Sequence, residues 1–488
     1  MISPRAPRGY LMLLAIVFGA IFLTVLGALS GYVLTESKIQ TNATANARAL
    51  AIAEAGVEYY RWFLAHYPTD LTNGTGQPGP YTIPYADPEG GQAGTFELSV
   101  AGNSSCGAIT SIDITSTGRP EEDPTISKTI TARYAQPTVA RFSYILNSAV
   151  WAGPDRVILG PYHSNGGIRM DGTGNSPVTS SVETWSCGSG FGCSPTQNRP
   201  GVFGAGANQG LWEYPVPQVD FAGIAADFSS LKTKAIANGT YYSRFSSSNN
   251  KFHQNYWDGY RLTFNGNGTV TVRRVTNTVS LPSTQINAAE NGEELPDRTL
   301  IASESFLTTL TLPSNCGLIF VEDHVWIDGV VDRKVTVVAA NITTTGVAPN
   351  VMLPGNITYA ATDGSDGLTV IAENNVLITP NSPYNMTLNG IFVAQGGAFG
   401  RNFYWRNSTG PGSGCSTVYE PRGQLTILGT TVSNLRTGTQ WIGPNCGSGQ
   451  GAGYDVRIDA FDRKLSTDPP PFTPQTSSDF EFVEWREQ

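Results

Sequence analysis

The stretch Tyr10-Leu-Met-Leu-Leu-Ala-Ile-Val-Phe-Gly-Ala-Ile-Phe-Leu-Thr-Val-Leu-Gly-Ala-Leu-Ser-Gly-Tyr-Val-Leu34 decides how this chain is read, because it is uncharged and mostly apolar. A helix needs about 20 such residues to cross a hydrocarbon core roughly 30 Å thick, and this one exceeds that length. A cleaved secretory signal has an apolar region of only about 7–15 residues followed by a small-residue cleavage site, so the run is too long for one. Arg5 and Arg8 precede it and no Lys or Arg recurs until Lys38. The positive-inside bias therefore places residues 1–9 in the cytoplasm, makes 10–34 a single span of the cytoplasmic membrane, and puts the bulk of the chain outside.

The helix is expected to continue past the membrane surface over residues 35–67. Ile39, Ala43, Ala47, Leu50, Ala53, Val57, Tyr60 and Leu64 recur in steps of three and four that mark one face, and Pro68 stops the run. Tyr10 to Tyr67 would then span about 87 Å, far more than a bilayer. A plain anchor gains nothing from such a stalk, whereas a subunit packed beside other helices does. Gly19, Gly27 and Gly31 add small residues, the last two at Gly-xxx-Gly spacing that lets helices approach closely in lipid.

These residues resemble the PilX-like minor pilins of type IV pilus and type II secretion systems. The resemblance rests on a short basic leader ending in Arg8-Gly9, a bulky Tyr10, the uncharged segment, and Ala53-Glu54-Ala55-Gly56-Val57-Glu58, similar to the "AEAG" stretch of that family. It covers residues 1–70 well and the remainder loosely. It implies cleavage by a prepilin peptidase after Gly9, with Tyr10 as the first mature residue, and lateral partners in other pilins. Gly19, Gly27, Gly31, Glu54 and Gly56 are the expected helix-packing positions. One departure stands out: Leu14 occupies the place where most pilins carry glutamate. That loss resembles tip-located minor pseudopilins, and a chain of 488 residues is also large for a repeated shaft subunit.

Composition beyond the helix fits an exported β-rich protein. The chain has 54 Gly, 31 Pro and only 14% charged residues, yet its 40% hydrophobic content can support a core, which excludes a disordered chain. Thirty Lys and Arg stand against 39 Asp and Glu; setting aside Arg5 and Arg8 leaves −11 on the remainder. An acidic ectodomain without a basic run speaks against nucleic acid as a partner.

All six cysteines lie on the outer side. An even count in an exported chain reads first as disulfides. Cys187 and Cys193 flank a Gly-rich loop able to close on itself; Cys415 with Cys446 is the next pairing, leaving Cys106 and Cys316 either joined or free. The Cys187–Cys193 spacing is not that of a zinc site, and no metal or cofactor is expected.

Residues 68–84 read as a loop. Thr95–Val100, Ile109–Thr115 and Ile126–Tyr134 alternate with the period of half-buried strands, with Ser116–Pro120 as the turn between two of them. Together, residues 68–141 form an expected small antiparallel sheet on the outer half of the helix, as in pilin heads, because the helix stripe needs a partner to bury it. From residue 142 to 453, short apolar runs recur at irregular intervals, among them Leu318–Val321, Val335–Ala339, Leu368–Ala372, Ile391–Ala394 and Leu425–Leu428. A parallel β-helix tolerates that irregularity and is favoured over a β-sandwich. His163-Ser-Asn-Gly-Gly167 resembles a turn in large PilX-like ectodomains, with His163 at a corner of the solenoid. Residues 200–300 read as a polar insertion. The closing residues 454–488, with Pro469-Pro-Pro471 and Trp485, resemble the family's C-terminal stretch and are expected to lie along the domain as a clasp.

The fold class is therefore α+β. Glu322-Asp323, Asp328 with Asp332, Asp363 with Asp366, and Glu121-Glu-Asp123 are the acidic pairs that glycan hydrolysis would need. Each sits in a turn-like setting and reads as a solvated acid or turn former. His66, His163, His253 and His324 are scattered and form no triad. The expectation is an assembly subunit that also contacts a surface ligand or glycan. A permanently anchored adhesin is the alternative, and a tethered polysaccharide-active enzyme is the second.

Overall fold

The computed structural model describes residues 10–87, 89–223, 225–281, 286–287, 289–290, 293–294, 298–404, 419, 421–441 and 452–488. Gly9, the basic leader, Cys415 and Cys446 lie outside them. The chain forms two compact units, one comprising residues up to 102 with 112–134 and 484–488, the other residues 103–111 with 135–483.

In the first unit a single helix, α1, runs from Tyr10 to His66, two residues short of Pro68. Its far half is seated on an antiparallel sheet formed by β1 (Tyr81–Ala86), β2 (Gln92–Ser105), β3 (Ala108–Pro120) and β4 (Lys128–Ala135), with the strand Glu481–Glu487 added beside β4. Alternation in β2–β4 turns Phe96, Leu98, Ile112, Ile114, Ile130 and Ala132 inward, as period two requires. The helix buries Ala45, Ala49, Ile52, Ala53, Gly56, Val57, Tyr60, Phe63 and Leu64. The expected stripe thus holds from Ala53 onward, but Ala43 and Ala47 face solvent while Ala45 and Ala49 are buried. Alanines occur on several faces of this alanine-rich stretch, so residue type there cannot set the phase of the face.

The expected turn at Ser116–Pro120 is instead the continuation of β3, and the chain turns at 121–127. Gly118 is there for another reason. A Cβ on it would lie 2.2 Å from the Ala49 carbonyl oxygen and 2.5 Å from the Ala53 nitrogen, so helix backbone and sheet backbone touch at this point. Gly56 does the reciprocal job, its Cα facing the Phe96 ring and Ser116 hydroxyl. Replacing Gly118 by valine is expected to destabilise this unit by at least about 1–3 kcal/mol, through overpacking against atoms that cannot move without unseating the helix. The thermal midpoint of the intact protein in detergent measures this; an unchanged midpoint would mean that α1 does not seat there.

The second unit holds a large, predominantly parallel sheet wound in coils. On one face, Thr240–Tyr242 pairs with Leu318–Val321, which pairs with Lys334–Ala339, then Gly367–Ala372, then Met386–Ala394, then Pro421–Ser433, all parallel. A second face runs through Gly259–Asn265, His324–Val331, Val351–Leu353, Val376–Ile378 and Phe399–Arg401. Parallel pairing of strands separated by whole coils is what the solenoid expectation requires and what a sandwich of antiparallel neighbours does not provide. Ile319, Val321, Val337, Val370, Ala372 and Phe392 point into the coil interior. Phe320, Val338, Ile371 and Val393, one residue out of phase, point outward beneath the helix Phe228–Asn238 through Leu231 and Ala235. Strands buried on both faces read as continuous apolar runs, which explains the unalternating Leu318–Val321 and Leu368–Ala372.

Coil order differs from chain order. Tyr144–Leu146 stacks on the strand ending at Ser433, followed by Tyr162–Ser164, Val178–Ser180 and Trp212–Glu213. The earliest coils in sequence therefore extend the end formed by the latest, and the next segment of chain, with the helix Phe228–Asn238, leads to the opposite end at Thr240. Within residues 200–300, expected as a polar insertion, Gly259–Asn265 and Thr269–Val279 are paired strands. Near the C-terminus Thr473 meets Thr369 hydroxyl to hydroxyl at 2.7 Å, and Pro471 accepts a hydrogen bond from Thr336, so the proline run lies across two strands of the coil.

Candidate assembly surface and buried polar clusters

The first half of α1 exposes almost nothing but hydrocarbon. Leu11 is 82% exposed and Phe18, Phe22, Leu23 and Tyr32 are all above 60%. The first charges along the helix are Glu36 and Lys38. Thr24 and Thr35 spend their hydroxyls on the carbonyls of Ile21 and Gly31, both at 2.8 Å, so these two donors need no water. The helix is long and apolar enough to cross a membrane. Gly19, Gly27 and Gly31 have no atom within 4 Å of a built Cβ and lie open for a neighbouring helix. Glu54 is also exposed, whereas Gly56 is used up against its own sheet. Tyr10 starts the helix and is 69% exposed.

The cysteine expectation is met at Cys187–Cys193, an S–S bond of 2.05 Å closing a seven-residue loop. Cys106 and Cys316, left open by sequence, are joined.

The acidic pairs are spent on structure. Glu322 receives Lys232 and the Tyr241 hydroxyl, both at 2.6 Å, and Asp323 accepts from the Phe245 and Ser246 nitrogens and the Ser246 hydroxyl. Asp328 takes Arg261 at 2.6 Å; Asp332 accepts from the Gly268 nitrogen; Asp366 accepts from the Ala361 nitrogen. Asp363 and Asp123 close turns onto Ser365 and Thr125, Glu121 accepts from Gln92, and Glu122 pairs with Arg48. The reading as solvated acids fails for Glu322, Asp323, Asp328 and Asp366, all at most 9% exposed. They are buried because coil corners bring donors to them. Among the described residues no three His, Cys, Asp or Glu side chains gather as metal ligands.

His163 lies within a strand, its ring nitrogens on Thr179 and Asn165 at 2.9 and 3.0 Å, and burial lowers its pKa. The following Asn165 brackets Val219 through both its backbone groups, which fastens the return segment to the coil. His324, fully buried, stacks on Trp257 at 4.9 Å and accepts the Asn350 N–H; burial pushes its pKa down to about 3, so it is a neutral core histidine.

A cluster that the sequence did not announce is Asp258 with Asp323. They flank the start of two parallel strands paired Gly259 to His324, and both carboxyls are pushed up to about 6, chiefly by burial, Asp258 further by the charge of Asp323. Each folded-state pKa is above the unfolded value, so the native state holds the extra protons and their stabilisation is lost as pH rises through about 6. Unfolding free energy is therefore expected to increase on acidification from pH 7 toward 4.5, and Asp258→Asn to flatten that slope and stabilise by roughly 1–3 kcal/mol at pH 7. Urea titrations across this range check it; a slope unchanged by the substitution would refute it.

No protein-family model matches the chain, and no curated protein does. Among solved structures the chain is similar to the competence-associated pilin ComZ from Thermus thermophilus, with 12% identical residues, 91% of this chain and 98% of that chain covered, and a TM-score of 0.29. A score so low bears on neither the fold nor the role.

Proposed function

We propose that this protein is a membrane-anchored, minor-pilin-like subunit of the PilX-like type, taking part in type IV pilus or pseudopilus assembly through α1 and contacting a surface ligand through its β-rich part. It works by assembly and adhesion, not catalysis, with lipid and other pilins as partners of the helix and no nucleic acid. The observation that carries this reading is α1 itself: one unbroken helix whose first half is uncharged and presents mostly apolar side chains and open glycines, and whose second half is seated on an antiparallel sheet. An anchor alone requires only about 20 residues of helix, and an exposed apolar surface of this size demands lipid or neighbouring helices. The N-terminus is inside and the units with the sheets outside. Loss of the glutamate position to Leu14 fits a minor or initiating subunit.

N-terminal sequencing of the membrane-associated protein, from cells with an active prepilin peptidase, tests the reading. Tyr10 as first residue is expected. An intact Met1 would replace it with the permanently anchored adhesin.

A further inference from the structure

We propose that the stretch Thr35–Thr44 of α1 is a hinge, which unwinds and re-forms while the helix on either side of it stays intact, so that the sheet-seated half of α1 takes a range of angles to the membrane. The helix has a gap in its support at this point. Every residue from Tyr10 to Thr44 is exposed, and the first residues of α1 to be buried are Ala45 and Ala49. The uncharged run ends at Thr35, since Glu36 is the first charge along the helix. Tyr10 to Leu34 makes about 37 Å of helix, which by itself fills a hydrocarbon core of roughly 30 Å. The residues Thr35–Thr44 therefore lie beyond the lipid and short of the sheet.

The two flanks are held helical by different means. In hydrocarbon a backbone N–H or C=O freed from the helix finds no water, so the span stays closed. Beyond Ala45 the helix backbone touches the sheet at Gly118, and Ile52, Val57, Tyr60 and Leu64 are at most 3% exposed, so opening there unseats the core of the first unit. Between the flanks, freed backbone groups meet water and no packing is lost.

Composition makes this gap the weakest helix in α1. Thr35, Ser37, Ile39, Thr41, Asn42 and Thr44 are among the poorer helix formers, and Ala43 is the one alanine in the stretch, against six in Ala45–Val57. Thr35 and Thr41 donate their hydroxyls to the carbonyls of Gly31 and Ser37, both at 2.8 Å, and Asn46 donates its amide to the Asn42 carbonyl at 2.7 Å. Such bonds to the residue four back compete with the backbone ladder and bend helices. Glu36 and Lys38 are the charges of the stretch; standing two apart, they do not face each other and form no bracing pair.

The hinge rests on the membrane-anchored reading of α1, and not on pilus assembly or adhesion. Hydrogen–deuterium exchange read by mass spectrometry, on the intact protein in lipid nanodiscs, tests it. Amides of residues 38–44 are expected to exchange about a hundredfold or more faster than those of residues 52–64, while residues 14–34 stay protected. Combining Ser37→Ala, Thr41→Ala, Asn42→Ala and Thr44→Ala, all at exposed positions, is expected to slow exchange over residues 38–44 by at least about tenfold. Exchange over 38–44 as slow as over 52–64, or unchanged by the four alanines, would overturn the hinge and leave the anchor standing. Rapid exchange over residues 14–34 would overturn both, because the hinge needs a flank held by lipid.

Discussion

Replacing Asp459 by alanine is expected to cost about 3–5 kcal/mol in the second unit, because it strands a cation in the interior. Arg156 Nε donates to Asp459 Oδ2 at 2.6 Å, with both side chains at most 5% exposed, and the guanidinium lies 4.4 Å from the Tyr144 ring centre and 5.6 Å from that of Tyr162. Neither ring can substitute for a carboxylate, so the lone cation would keep its desolvation penalty and lose its partner. Joint replacement, Arg156→Met with Asp459→Leu, is expected to recover most of the loss, since an apolar pair of similar volume carries no such penalty. Equilibrium urea unfolding of the wild type, both single variants and the double variant closes the cycle. Single-variant losses below about 1 kcal/mol would mean that water reaches the pair. The location gives the result its interest: the pair joins Arg156–Leu159 to Ala452–Ala460, adjacent parallel strands where the earliest coils stack on the latest. Arg457 and Asp155 repeat the contact alongside, with bonds of 2.6 and 3.1 Å.

Cys106→Ser, and equally Cys316→Ser, is expected to lower stability by about 5 kcal/mol in the chain-entropy account of cross-links, which credits more to longer loops. The bond spans 210 residues of sequence and both sulfurs are at most 3% exposed. Cys187→Ser should cost much less, since that loop spans only six positions. Denaturation midpoints of the three variants against the oxidised wild type decide it. Equal losses at the two bonds would count against loop entropy as the main term. The long bond matters to the coil because Cys316 packs under Leu231 and Ala235, where the helix Phe228–Asn238 meets the outer face.

Local sequence carried much of this, and its failures are specific. Alternation placed β2, β3 and β4, and the run of unalternating apolar residues marked strands covered on both sides. Gly118 read as a turn glycine because turns are where glycine is commonest, yet its role is a backbone contact with Ala49 and Ala53, residues far away in the chain. The acidic pairs looked solvated because a turn-like setting suggests a surface, and the coil buried four of their members, Glu322, Asp323, Asp328 and Asp366. The Asp258–Asp323 and Arg261–Asp328 pairs left no local trace, since their members come from different parts of the chain.

By itself the sequence determined the long helix and its apolar first half, the α+β class with a β-rich outer part, and the closure of Cys187 on Cys193. These follow from composition, period and short separations, which act along the chain. The tertiary structure alone decided the face of α1 that is buried, the join of Cys106 to Cys316, and the order in which the coils stack. Residues 144–213 add to the end made by residues 386–460 because a parallel edge accepts any strand with matching pattern. Only packing and the buried pairing of Arg156 with Asp459 select which strand it is.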